Sequence, residues 1–163
     1  LMGGTIGVTS TPGVGSEFWF TTSHDADDGT AAPSPDQLAG RRVLVVSDHR
    51  ASARHLAHVV ADAGATVEVA TRGMDVPSAG HDAVVVDLPV GALEDGRRRV
   101  ASGTPLVVLA SNATRAALHR NDGGGGTLAS KPVKARTLVG TLAALLAAGD
   151  AEAEARRAAG ASH

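Results

Sequence analysis

The sequence predicts an α/β fold in which a five-stranded, doubly wound parallel sheet follows a separate β-hairpin. Between residues 39 and 149, short apolar runs rich in β-branched residues alternate with stretches of helical periodicity. Parallel neighbours in a sheet need crossover connections, so this alternation favours a parallel sheet over a set of hairpins. The aromatic residues Phe18, Trp19 and Phe20 all lie before this region. We therefore expect two units of different ancestry.

Composition limits the classes of function. The chain has 163 residues, of which 43% are hydrophobic, enough for one core and a small appendage. A formal net charge of -2 gives no basic field for nucleic acid or an acidic membrane surface. The absence of cysteine excludes disulfides, thiolate metal sites and thiol catalysis. The longest apolar run, residues 138–148, is too short to cross a bilayer, and no secretory signal is present. We expect a cytoplasmic region without membrane contact of its own.

The sequence predicts the β-hairpin over residues 1–22. Two β-rich runs, 5–10 and 16–21, flank a turn that contains Pro12 and Gly13. A lone hairpin cannot bury itself in water, so we expect it to pack on something else. Residues 23–38, acidic and rich in proline and small residues, then predict a flexible linker.

The first half of the predicted sheet domain, residues 39–149, carries three strands. Residues 43–46 form the first, and a helix follows that Gly64 ends; its apolar face comprises Leu56, Val59, Val60 and Ala63. The second strand, 66–70, alternates enough to be an edge strand. Glycine and proline break residues 71–80, and the third strand ends at Asp87.

The second half predicts two more strands and the last helix. Residues 93–102 are a weak helix, 105–109 the fourth strand, and a helix begins at Asn112. A short fifth strand, 127–129, leads into Lys131 and Pro132. The last helix is amphipathic through Leu138, Leu142, Leu145 and Leu146, and residues 150–163 predict a fraying helical tail.

Three charged residues lie at strand ends. Asp48 closes the first strand, Asp87 closes the third, and Lys131 follows the fifth. In the flavodoxin-like order 2-1-3-4-5, the ligand crevice lies between the first and third strands, at their carboxyl ends. Two facing carboxylates favour a cation, and oxygen ligands suit Mg²⁺. Asp87 is then a candidate nucleophile for phosphoryl transfer with Lys131 as charge partner, although a helix N-cap role for Asp87 is the alternative.

The sheet domain resembles the CheY-like receiver domain of two-component signalling. The resemblance is carried by VLVVSD at 43–48, HDAVVVD at 81–87, PLVVL at 105–109 and SKP at 130–132. It implies that Asp87 is the phosphoacceptor, that Asp48 and the backbone carbonyl of Pro89 help Asp87 to bind Mg²⁺, and that Lys131 is the lysine of the Lys-Pro motif.

The sequence also departs from the receiver pattern. Ser47 stands where receivers usually carry the first acid of a pair. The hydroxyl residue expected after the fourth strand is Ala110, with Ser111 beside it, and the aromatic switch position is Leu128. Pro89 follows Asp87 earlier than in the family's pattern. The loss of both the hydroxyl and the aromatic residue, which move together in receivers, puts the conformational switch in doubt and leaves the phosphoacceptor plausible.

The hairpin resembles the last hairpin of the ATP-binding domain of bacterial sensor histidine kinases, through LMGGTIGV at 1–8 and PGVGSEFWF at 12–20. The asparagine and glycine boxes that hold nucleotide in that family are missing, so we expect no kinase activity from this chain alone. Hairpin, linker and receiver together resemble the C-terminal part of a hybrid sensor histidine kinase, whose parent protein could be membrane-anchored.

Three functions remain open at this stage. The leading one is a phosphorelay receiver that takes a phosphoryl group from phosphohistidine onto Asp87, with a histidine kinase or histidine phosphotransfer domain as partner. The alternative is a degenerate pseudo-receiver, a non-catalytic module that binds kinase domains or forms a homodimer. A small nucleotide-binding α/β domain is the third, but no glycine fingerprint supports it.

Overall fold

The computed structural model describes residues 3–24, 33–71, 80–89, 91–92, 100, 103–111 and 126–160. The chain forms two compact units, Leu1–Ala31 and Ala32–His163. Several sequence predictions fall wholly or mostly outside the described residues: the broken segment 71–80, the helices predicted over 93–102 and from Asn112, most of the linker, and the last three residues.

The N-terminal unit is the predicted antiparallel hairpin. Strand β1 (Ile6–Thr11) pairs with β2 (Gly15–Phe20). One face carries exposed apolar side chains, those of Ile6, Val8, Phe18 and Phe20. On the other face the indole of Trp19 covers Gly7, where a Cβ atom would come within 2.3 Å of the ring. Only glycine leaves room for this cross-strand contact.

The second unit is built on a parallel sheet. Its five described strands are β3 (Arg42–Ser47), β4 (Thr66–Ala70), β5 (Ala83–Asp87), β6 (Leu106–Ala110) and β7 (Thr127–Ser130). Their order across the sheet is β4-β3-β5-β6-β7, and every neighbouring pair is parallel. This confirms the predicted flavodoxin-like order 2-1-3-4-5.

Helix α1 (Arg50–Asp62) follows β3 and packs against β3 and β4. It buries Ala53, Leu56 and Val60; of the predicted apolar face, Leu56 and Val60 are buried, Val59 is partly buried, and Ala63 is buried as the C-cap. After the helix, Gly64 adopts a φ of +93° and its N–H donates to the carbonyl of Ala61 over 2.9 Å. This left-handed residue ends the helix, as predicted.

Helix α2 (Ala135–Gly160) is the last element and contacts α1 and β7. Its buried residues, Leu138, Val139, Leu142 and Leu146, all lie in the first half. The helix continues to Gly160, whereas the sequence predicts a fraying tail from Asp150. The extension is rich in alanine, glutamate and arginine, which favour helix, and Glu152 pairs with Arg156 one turn on.

Apolar residues cover both faces of the sheet, so every residue of β5 and β6 is buried. The core under α1 and α2 includes Val43, Val85 and Val107, and that on the opposite face includes Val84, Val86 and Val108. This double burial explains the continuous apolar runs in the sequence. Within the described residues, no helix is long and apolar enough to span a membrane.

Candidate functional site

A groove of about 420 Å³ opens beside the carboxyl ends of β3 and β5. It is lined by Asp48, His49, Ser52, Asp87, Leu88, Pro89, Ser111 and Lys131. The structure thus brings together five of the residues that the sequence singles out: Asp48, Asp87, Pro89, Ser111 and Lys131. The parallel register accounts for this, because polar residues that follow neighbouring strands reach the same edge of the sheet.

Asp87 lies at the centre of the site. It is the last residue of β5, opposite Ser47 in the register, and its side chain is only 6% exposed. One carboxylate oxygen, Oδ1, forms an ion pair with Nζ of Lys131. The other, Oδ2, lies 3.4 Å from the hydroxyl of Ser47. A buried carboxylate needs such partners, and Asp87 has one on each oxygen.

Lys131 reaches the groove because it directly follows β7. Its backbone N–H donates to the carbonyl of Ala110 over 3.0 Å, which extends the pairing of β6 and β7 by one residue. The next peptide bond, Lys131–Pro132, is cis. The ammonium group is partly exposed, so it can neutralise Asp87 while it remains open to the groove.

Ser47, Ala110 and Leu128 do not line the groove. Ser47 is buried beneath it, in contact with Asp87. Ala110 is buried at the end of β6, and the hydroxyl next to it, that of Ser111, is the one at the groove wall. Leu128 is half-buried and packs on the core that includes Val86 and Val108. The position expected to be aromatic is therefore an aliphatic core contact.

The donor groups of the groove fit a hard divalent cation. Asp48 and Asp87 offer carboxylates and Pro89 a backbone carbonyl, an oxygen set that suits Mg²⁺ when waters complete the shell. Among the described residues, no cluster of three histidine, aspartate or glutamate side chains could hold a metal ion. A cation in this groove would instead be held by the carboxylates of Asp48 and Asp87, the carbonyl of Pro89 and water.

Sequence reasoning missed His49 and Ser52. His49 precedes α1 as its N-cap, and its ring Nδ1 accepts from the backbone N–H of Ser52 over 3.4 Å. Both residues line the groove. A polar residue just before an amphipathic helix was the available signal, but histidine is not among the preferred N-caps.

No family model matches the chain. Over 81 residues, 45% of the chain, the sequence is 42% identical to the sensor histidine kinase GacS of Pseudomonas protegens. The matched region makes up 9% of that relative, so the chain spans only a small part of it.

Solved structures share the fold. The signal receiver domain of a signal transduction histidine kinase from Syntrophus aciditrophicus matches with a TM-score of 0.53 and 18% identity, over 67% of this chain and 92% of that one. Full-length ShkA, solved in complex with AMPPNP, matches with a TM-score of 0.54 and 28% identity, over 88% of this chain and 31% of that one. The second unit therefore has the fold of receiver domains, and the sequence is similar to part of a sensor histidine kinase.

Proposed function

We propose that the receiver domain accepts a phosphoryl group on the carboxylate of Asp87 as one step of a phosphorelay. The observation that carries this proposal is the contact between Asp87 and Lys131 at the carboxyl end of the buried strand β5, with Asp48 in the same groove. Phosphoryl transfer requires a positioned nucleophile and charge neutralisation, and these residues supply both.

In the proposed step, an Asp87 oxygen attacks the phosphorus atom of a phosphohistidine. A new O–P bond forms, the N–P bond breaks, and the imidazole leaves with the bonding electron pair and takes up a proton. Lys131 offsets charge on the phosphoryl oxygens as they approach. Asp48, Asp87 and the Pro89 carbonyl would hold Mg²⁺, which when bound supplies further positive charge to those oxygens.

The proposed partner is a histidine kinase or a histidine phosphotransfer domain, in the cytoplasm. We further propose that residues 1–22 are the last hairpin of a kinase ATP-binding domain, followed by a linker (23–38), the receiver (39–149) and a tail (150–163). The match to ShkA supports this layout: it covers 88% of the chain, whereas residues 33–163 make up only about four fifths of it.

The test is the intact mass after incubation with acetyl phosphate and Mg²⁺. We expect a single phosphoryl adduct that is missing in Asp87→Asn and in wild-type protein treated with a chelator. Asp48→Asn should slow adduct formation at limiting Mg²⁺ and recover at high Mg²⁺, because one carboxylate of the cation site is lost.

Absence of an adduct in a chain with native circular dichroism would refute the phosphorelay proposal. A non-catalytic interaction module, binding kinase domains or a second copy, would then be the remaining function.

A further inference from the structure

Ser47 and Asp87 are the two buried polar residues in the described part of the chain. They face each other across the β3–β5 pair, with 3.4 Å between Ser47 Oγ and Asp87 Oδ2. Ser47 is 1% exposed, so its hydroxyl must find its partners within the protein. The Ser47 hydroxyl therefore interacts with groups of the site and not with solvent.

The hydrogen bonds of Ser47 show what its hydroxyl does. The backbone N–H of His49 donates to Oγ over 3.2 Å. The hydroxyl proton has two acceptors within reach, Asp87 Oδ2 at 3.4 Å and the carbonyl of His49 at 3.3 Å. A hydroxyl can serve either by rotation, while an ionised carboxylate in its place could only accept. Ser47 thus attracts the Asp87 carboxylate, where an aspartate would repel it.

Charge is the second consequence. With Ser47 neutral and the imidazole of His49 counted as neutral, the charges of the site are the carboxylates of Asp48 and Asp87 and the ammonium of Lys131, a formal sum of one negative charge. A carboxylate at position 47 would double that sum at the depth where Asp87 is buried. Attraction for a divalent cation rises with the negative charge around it, most steeply where water is excluded.

We propose that Ser47 is a positioning residue that holds the Asp87 carboxylate beside Lys131 and, by its neutrality, sets a weak affinity of the groove for divalent cations. This inference rests on the proposed function, since it concerns the same groove. It adds a specific property of that groove: its affinity for Mg²⁺ is lower than a carboxylate at position 47 would give.

The test is a titration of Mg²⁺ into uniformly ¹⁵N-labelled chain, with the backbone amide shifts of residues 47–49 and 87–88 as the readout. Ser47→Asp should bind Mg²⁺ at least about tenfold more tightly than wild type. Ser47→Asn introduces a side chain with the shape of aspartate but without its charge. Both Ser47→Asn and Ser47→Ala should bind Mg²⁺ with an affinity within about threefold of that of the wild type.

An unchanged affinity in Ser47→Asp would overturn the proposal, as would equal tightening in Ser47→Asn. If Ser47→Asp unfolds without cation, the Mg²⁺ concentration that restores its circular dichroism reports the affinity. A variant that Mg²⁺ neither binds nor refolds would also overturn it. The titration uses no phosphodonor, so it is independent of the test of the proposed function. If the chain forms no adduct with acetyl phosphate but shows these Mg²⁺ affinities, the proposed function fails and this inference holds.

Discussion

The buried carboxylate of Asp87 depends most on one residue, Lys131. Lys131 is the charged partner of one oxygen, and Ser47 contacts the other at the long distance of 3.4 Å. We expect Lys131→Met to lower the free energy of unfolding by about 1–3 kcal/mol, because it leaves a buried charge poorly compensated. Partial exposure of Lys131 keeps this below the cost in a fully buried pair. Urea denaturation at pH 7 measures the change.

A double-mutant cycle is the control for this prediction. In Lys131→Met combined with Asp87→Asn, the uncompensated charge is gone, so most of the loss should be recovered. Strict additivity of the two single changes would show that the ion pair carries no coupling energy.

At the scale of single residues, the sequence predicts which side chains meet but not how they bond. Asp48, Asp87 and Lys131 could be placed together because each lies at the end of a strand and parallel strands end at one edge of the sheet. The Ser47–Asp87 contact depends on the register between β3 and β5, two parallel strands that no turn connects. The sequence does not predict that register, so it identifies Ser47 only as the position where an acid is missing. The sequence does not predict the role of His49, because histidine is not a residue type preferred at helix N-caps.

At the scale of elements, the join between α1 and β4 depends on Gly64. Its φ of +93° disfavours any side chain, and a Cβ atom would come within 2.6 Å of the Pro35 carbonyl oxygen. We expect Gly64→Ala to destabilise the second unit by about 2–4 kcal/mol, through backbone strain and this clash together. Thermal unfolding followed by circular dichroism is the measurement.

Gly149 provides the matched control within α2. A Cβ atom there meets nothing within 4 Å, so Gly149→Ala should stabilise the protein by about 0.5–1 kcal/mol through helix propensity. Equal effects of the two changes would mean that the conformation of Gly64 is not what ends α1.

The elements also show where sequence patterns stop being informative. The buried strands and the apolar face of α1 follow from periodicity, since burial leaves its imprint on residue type. The second half of α2 has no stripe of buried apolar residues from which periodicity could predict a helix. Its continuation depends instead on propensity and on polar contacts, one of which joins Asp150 to Arg41, 109 residues earlier in the sequence.

At the scale of the whole second unit, Arg41 and Asp150 join the residue just before β3 to the last helix. They are 109 residues apart in sequence and form a two-pronged ion pair, with Nη1 of Arg41 3.3 Å from Oδ1 of Asp150. The hydrogen bond from Arg41, with its charge as the lesser cause, holds the pKa of the Asp150 carboxyl below its usual range. Local pattern analysis could not pair residues this distant.

This lowered pKa predicts how stability depends on pH. Because the folded-state pKa of Asp150 lies below the unfolded one, the pair contributes stability above the ordinary aspartate pKa and loses that contribution as pH falls through the folded value. In urea denaturation, Asp150→Asn should be less stable than wild type at pH 7, and at acid pH the difference should shrink as the pH falls below the ordinary aspartate pKa. Glu152→Gln, which removes an exposed pair within one helix, should change stability little at either pH. A deficit of Asp150→Asn that persists in acid would mean that packing, and not the ion pair, is what Asp150 contributes.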